Sequence, residues 1–148
     1  MPPLVLGTYD PTEQDLIFNG VLITGYADGT FIKVSRNNDG WTFKASNSGG
    51  GARCRNPDIS GRIEITLHQG SPSNGVLSAF AVADELTGEG VGECMVKDRS
   101  TAAAKCSAQN AWVTKIADYE RGKETGDVTW VIETDALVIG HDGLTPQT

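Results

Sequence analysis

Alternation of apolar and polar positions is sharpest between Gly61 and Leu67, where Ile63, Ile65 and Leu67 interleave with Arg62, Glu64 and Thr66. A period of two places the first set on one face of a strand and the second on the other. Ser71 and Pro72 then supply an N-cap and a first helical position, since a proline has no N–H for the first turn to leave unpaired. The spacing predicts one short amphipathic helix over about residues 72–85, with Val76, Leu77 and Phe80 on its apolar side. Everything else reads as β.

Upstream, DLIFNGVLIT (15–24) holds two apolar runs about Asn19-Gly20, a dipeptide that suits the positive φ angles of a tight hairpin, with a bulged strand as the competing reading. FIKVSR (31–36) and WTFKAS (41–46) flank Asn37-Asn38-Asp39-Gly40, and Asp-Gly between alternating segments predicts a second hairpin. Its second arm puts Trp41, Phe43 and Ala45 on a buried face, with Thr42, Lys44 and Ser46 wetted. Asn47 to Ser60 (NSGGGARCRNPDIS) reads as a long flexible loop that orders only against a partner. After the helix, TGEGVG (87–92) is a turn cluster and GECMVKD (92–98) a strand; Arg99 to Ala108 is small and polar, with weak helical or loop character. WVTKIA (112–117) and VTWVIET (128–134) read as strands paired in a long hairpin across the exposed connection DYERGKETGD.

Composition narrows this to one domain spanning residues 1–148, with mobile ends at about 1–12 and 140–148. A chain of 148 residues buries roughly two thirds of the surface that its unfolded form exposes. Nineteen acidic residues against twelve lysines and arginines give a formal charge of −7, so binding to nucleic acid through a broad basic surface is excluded. MPPLVLGTYDP has no basic segment leading into a long apolar run, and no apolar stretch approaches the roughly 20 residues that span a bilayer. A protein made in the cytoplasm, with no membrane partner, is the expectation.

Candidate chemistry changes the picture little. Cys54, Cys94 and Cys106 fit neither a zinc knuckle nor a redox pair, and an odd count leaves one thiol free in a monomer. Cys54, between Arg53 and Arg55 in a glycine-rich stretch, is the candidate for a disulfide between subunits. The triple glycine lacks the Gly-Lys-Ser/Thr of a phosphate loop, and Asn37 to Gly40 lacks the spacing and terminal glutamate of a calcium loop. His68 lies at the strand-to-helix turn, within conceivable reach of Asp58 or Ser71, but no Gly-x-Ser-x-Gly elbow accompanies it; His141 falls in the tail. Glu85, Glu89 and Glu93 are separated by glycines, with nothing local to fix them as a catalytic pair. No enzyme, no cofactor and no metal is expected. Trp41, Trp112 and Trp130 sit on apolar phases of strands and read as core, the alternative being a sugar-stacking platform on a small β-sandwich that binds a glycan or a receptor.

The order of hairpins, glycine-rich loop, the strand GRIEITL, the turn QGSPSN, the helix GVLSAF and late strands resembles the tail tube proteins of contractile-tailed bacteriophages. The likeness is most specific at Gly61 to Phe80 and extends over about Asp15 to Ile139. It implies a mainly β barrel or sandwich with one helix, related to the haemolysin-coregulated tube proteins of bacterial secretion systems. It further implies six copies in a ring, and rings stacked into a hollow virion tube assembled in the host cytoplasm. Partners would be other copies of the chain, a surrounding sheath, a baseplate and tail terminator proteins, with DNA passing through the lumen unbound. On that reading Thr42, Lys44, Ser46, Arg62, Glu64 and Thr66 would face the lumen, and Asn47, Gly50, Arg53, Cys54 and Arg55 would reach the next ring.

Overall fold

The computed structural model describes residues 12, 14–99 and 103–140. Ten strands and one helix follow in the order β1 (Gln14–Phe18), β2 (Val21–Ile23), β3 (Ile32–Arg36), β4 (Trp41–Ala45), β5 (Gly51–Arg55), β6 (Gly61–His68), α1 (Ser73–Thr87), β7 (Gly92–Asp98), β8 (Ala103–Val113), β9 (Asp127–Thr134) and β10 (Val138–Ile139). All pairs are antiparallel. Eight strands form one sheet in the order β2-β1-β7-β8-β9-β6-β3, with β10 on β8, while β4 and β5 form a separate two-stranded sheet. The mainly β class with one helix therefore stands.

Sheet curvature follows from where β2 leads. Its continuation runs past β6, where Ala27 N–H meets Thr66 O at 3.1 Å and His68 N–H meets Gly25 O at 2.9 Å. The two ends of the strand order are tied together, and few ladder groups are left without partners. Inside lie Leu16, Phe18 and Ile23, then Ile63, Ile65 and Leu67 of β6, with Cys94, Val96, Cys106, Ala108, Trp130 and Ile132 from the later strands. Leu77 and Ala81 of α1 complete this core, and Phe80 meets Phe18 edge-on at 5.0 Å.

Local rules explain the elements that matched expectation. Asn19 (φ 50°) and Gly20 (φ 80°) make the two-residue turn between β1 and β2, so the bulged alternative is not adopted. At the helix entry Pro72 has helical angles, φ −65° and ψ −20°, and Ser71 Oγ accepts the Ser73 N–H at 3.2 Å. Asn74, in the same turn, accepts Trp130 Nε1–H at 2.9 Å and donates to His68 O at 3.1 Å, pinning α1 to β9 and β6. Gly88, with φ 72°, ends the helix through its N–H to Asp84 O.

Four expectations are corrected. FIKVSR and WTFKAS do not pair: β3 pairs with β6, from Ile32↔Ile65 to Arg36↔Gly61, and β4 pairs with β5. Asn37 and Asn38 bond across the chain, Asn37 N–H to Ser60 O at 3.0 Å and Asn38 Nδ2 to Asp58 Oδ2 at 2.7 Å, and Gly40 never takes the positive φ that an Asp-Gly turn requires. The loop expected at 47–60 is mostly ladder, because Gly51–Arg55 is β5 and the reversal is confined to residues 46–50. Residues 103–108 belong to β8, where Cys106 and Ala108 face the core. The hairpin of the last long strands is shorter than expected, since β8 ends at Val113 and only Ala111, Trp112 and Val113 pair with β9. The expected mobile ends, with His141, lie largely outside the described residues.

Gly61, where β6 leaves the projecting segment, has no room for a side chain. A Cβ there would stand 2.5 Å from Leu137 Cδ2 and 2.6 Å from Ser35 O, and Arg36 fixes the same place by donating from Nε and Nη2 to Leu137 O at 3.0 and 2.8 Å. Gly61→Ala is expected to cost about 1–3 kcal/mol through forced displacement of packed backbone, read as a fall in thermal midpoint by circular dichroism.

Candidate functional site

Two strands that, among the described residues, pair only with each other form an arm beyond the Arg36–Gly61–Leu137 junction. Asn37 to Gly40 and Asn56 to Ser60 make its base. There Asp58 accepts the Ser60 N–H at 3.0 Å, which together with the Ser60 hydroxyl holds its carboxyl below the usual range. Every residue of β4 and β5 is exposed, Trp41 by 50% and Phe43 by 70%. Trp41 is therefore not a core residue, contrary to expectation, because its strand has no second layer to pack against.

Register divides the arm into two faces. Trp41↔Arg55, Phe43↔Arg53 and Ala45↔Gly51 share one, and Thr42↔Cys54 and Lys44↔Ala52 share the other. On the first, the Arg53 guanidinium lies 4.0 Å from the Trp41 ring centroid, a cation–π contact. The Phe43 ring covers Gly51, where any Cβ would overlap it. Within the glycine run, Gly51 is thus required by its aromatic neighbour and Gly49 by a positive φ of 92° in the turn. Cys54 is flanked by two arginines in sequence and lies on the opposite face from both in space.

The six residues expected to line a lumen fall into two groups on different sheets. Thr42 and Lys44 lie in β4 and Ser46 in its turn, whereas Arg62, Glu64 and Thr66 lie in β6, opposite Glu133, Val131 and Thr129 of β9. Arg62 pairs with Glu133 at 3.5 Å, and Lys33 and Ser35 of β3 stand across from Glu64 and Arg62. The outward face of β3, β6 and β9 is hence polar and of mixed sign. Of the inter-ring candidates, Arg53, Cys54 and Arg55 share β5, and Asn47 and Gly50 form its turn.

Catalytic geometry is not assembled around the histidine. His68 is exposed and its Nδ1 accepts the Gly70 N–H at 3.2 Å, rather than meeting Asp58 or Ser71. Among the described residues no group of three or more His, Cys, Asp or Glu is placed to hold a metal, and no helix is long and apolar enough to cross a membrane. The tryptophans do not form one platform, since Trp130 is buried with its indole N–H committed to Asn74 and Trp112 is half-buried in β8. A second surface escaped the sequence reading. Val82, Leu86 and Val91 are 40%, 79% and 45% exposed around the C-terminal end of α1, beside Asp84, Glu85 and Glu89. Its signal was the phase of Val82 and Leu86, which miss the Leu77–Ala81 stripe that faces the core.

No family model matches the chain. It is 24% identical over 144 residues to structural protein ORF10 of Pseudomonas phage KPP10, covering 92% of this chain and 83% of that protein. Among solved structures it is similar to the tube-terminating cap of the anti-feeding prophage, with a TM-score of 0.63 at 10% identity over 95% of both chains. It is also similar to the sheath/tube terminator of the extracellular contractile injection system PVC in its extended state, with a TM-score of 0.64 at 10% identity over 93% of this chain and 99% of the other. The fold is thus shared with proteins that terminate contractile tubes.

The thiols separate cleanly by environment. Cys94 and Cys106 are buried, and burial pushes the Cys94 thiol up to about 12 and Cys106 upward as well. One equivalent of a thiol reagent, at Cys54, is expected to react with the native protein and three after denaturation. Since an unfolded Cys94 ionises near 9 while the native thiol keeps its proton to about 12, the native state holds more protons between those values. Stability is fully present below pH 9 and falls as pH rises through that window, checked by denaturant melts at pH 8 and 10.5.

Proposed function

We propose that this chain is a non-enzymatic structural subunit of a phage tail, assembling with copies of itself into a ring coaxial with the tail tube. The observation that carries the reading is the arm. An aromatic and cationic ribbon, exposed on both faces and open at both edges, stands on a body whose own sheet ends are tied together. Such a ribbon is marginal in water unless another surface covers it. Likeness over nearly the whole chain to terminators of contractile tubes, and to a phage structural protein, supports a partner that is a neighbour in a tail.

In this reading the arm contacts the next subunit or ring, and a contact between unlike surfaces propagates a stack rather than closing a dimer. The polar face of β3, β6 and β9, carrying Arg62, Glu64 and Thr66, turns to the lumen. Its charges are of both signs, in a chain of net charge −7, so it offers DNA no continuous basic surface of the kind that retains a nucleic acid through counterion release. Thr42 and Lys44 belong to the arm and so to the contact between subunits rather than to the wall. Sheath, baseplate and terminator proteins are the partners beyond the ring. A second reading, a single ring that caps the tube, is favoured by the terminators among its structural neighbours.

Electron microscopy of the expressed protein tests this. Rings that stack into tubes are the expected result, isolated rings assign the chain to the cap layer, and a monomer at every concentration overturns the proposal. Replacing residues 41–55 by a short glycine-serine link removes strands that pair only with each other, so the body is expected to keep its circular dichroism spectrum while stacking is lost.

A further inference from the structure

Charge along the chain is unevenly placed. The arm from Trp41 to Arg55 holds Lys44, Arg53 and Arg55 and no acidic residue. The segment from Asp84 to Glu93 is its opposite, with Asp84, Glu85, Glu89 and Glu93 and no lysine, arginine or histidine. This second segment begins in the last turn of α1, at the negative end of the helix dipole, and that turn has no basic residue to offset it. Among the described residues Glu85, Glu89 and Glu93 are exposed and make no ion pair with their own chain.

Apolar surface is placed to match. Leu86, Val82 and Val91 stand open beside those carboxylates, just as Trp41 and Phe43 stand open beside Arg53 and Arg55. Each surface combines exposed apolar side chains with one sign of charge, and the signs are opposite. The connection from Asp118 to Asp127 is a poorer match, since Arg121 and Lys123 lie among its acids. Within one chain the two surfaces are not joined: every residue of β4 and β5 is exposed, and among the described residues neither Arg53 nor Arg55 forms an ion pair with Glu85, Glu89 or Glu93.

We propose that the arm of one copy seats on the C-terminal end of α1 of the next copy, Arg53 and Arg55 meeting Glu85 and Glu89 while Trp41 and Phe43 cover Leu86 and Val91. This rests on the reading of the chain as a self-assembling tail subunit and names the contact that joins the copies. Charge reversal of either side, Arg53→Glu with Arg55→Glu or Glu85→Arg with Glu89→Arg, is expected to raise the concentration for half-assembly roughly tenfold or more, since like charges then face each other. Mixing the two reversed proteins is expected to restore assembly between them, measured by sedimentation velocity after circular dichroism has shown both to be folded. Should Glu85→Arg with Glu89→Arg assemble like the unaltered chain, this contact is overturned and the helix end belongs to another partner, while the assembly reading stands. Reversed proteins that each lose assembly but fail to recover it on mixing also overturn the pairing. An unaltered chain that remains monomeric overturns the assembly reading and this contact with it.

Discussion

The fold depends on β6 having both of its edges occupied. On one side β9 pairs with it along all eight residues, and on the other β3 takes the N-terminal half while residues 25–27 take the C-terminal end. Ile63, Ile65 and Leu67 are thereby sealed completely, and the strand becomes the wall around which the rest is arranged. Its C-terminus launches α1 through the Ser71–Asn74 turn, and its N-terminus receives the arm at Gly61. Gly25 shows how tightly the closure is made: with φ 78°, its missing Cβ would lie 2.5 Å from Ser71 Oγ, so the helix cap and the closing strand occupy the same small space. A residue larger than glycine there would oppose both at once.

What could be read from the sequence was what burial writes into it. The alternation in GRIEITL and the proline-led helix were legible because each has one face in the core, and Asn19-Gly20 because only a few residue types accept two successive positive φ values. Strand β8 was hidden for a different reason. Cys106, Ala108 and Ala111 are as buried as leucines elsewhere, but small side chains carry little hydrophobic signal, and the register shifts against β7 break their period. In the arm the signal was actively misleading. Trp41, Phe43 and Ala45 alternate as a half-buried strand would, and the Asp-Gly ahead of them invited a turn, but the pairing of β3 with β6 had already fixed the direction of the ribbon. An apolar phase with no core behind it is what a contact with another molecule looks like in one sequence.

The arm also shows why regular structure went unread in this stretch. The expectation for Gly51–Arg55 was a flexible loop, whereas the five residues form a strand that is exposed throughout and paired with β4. The error was to deny it regular structure. Backbone pairing requires only a second strand, whereas a stable ribbon requires a layer beneath it, and this chain provides the first without the second. Secondary structure and burial are therefore separate matters for these residues, with the cation–π contact of Arg53 on Trp41 shielding part of the aromatic face.

Electrostatics sets the conditions under which such separate events become coupled. Because the arm holds three of the chain's cations and none of its acids, the remainder carries a formal −10 against −7 for the whole. Identical bodies of that charge repel, which opposes random association and leaves the arm as the cationic element able to approach a neighbour. Repulsion between bodies reaches tens of ångströms only at low ionic strength and is largely screened beyond about 8 Å at physiological ionic strength, while charges in contact at a partly dry interface are screened far less. For the proposed contact, moderate salt consequently removes the obstacle before it weakens the attraction. On the proposed contact, the same division of charge makes the route to assembly run through one short ribbon.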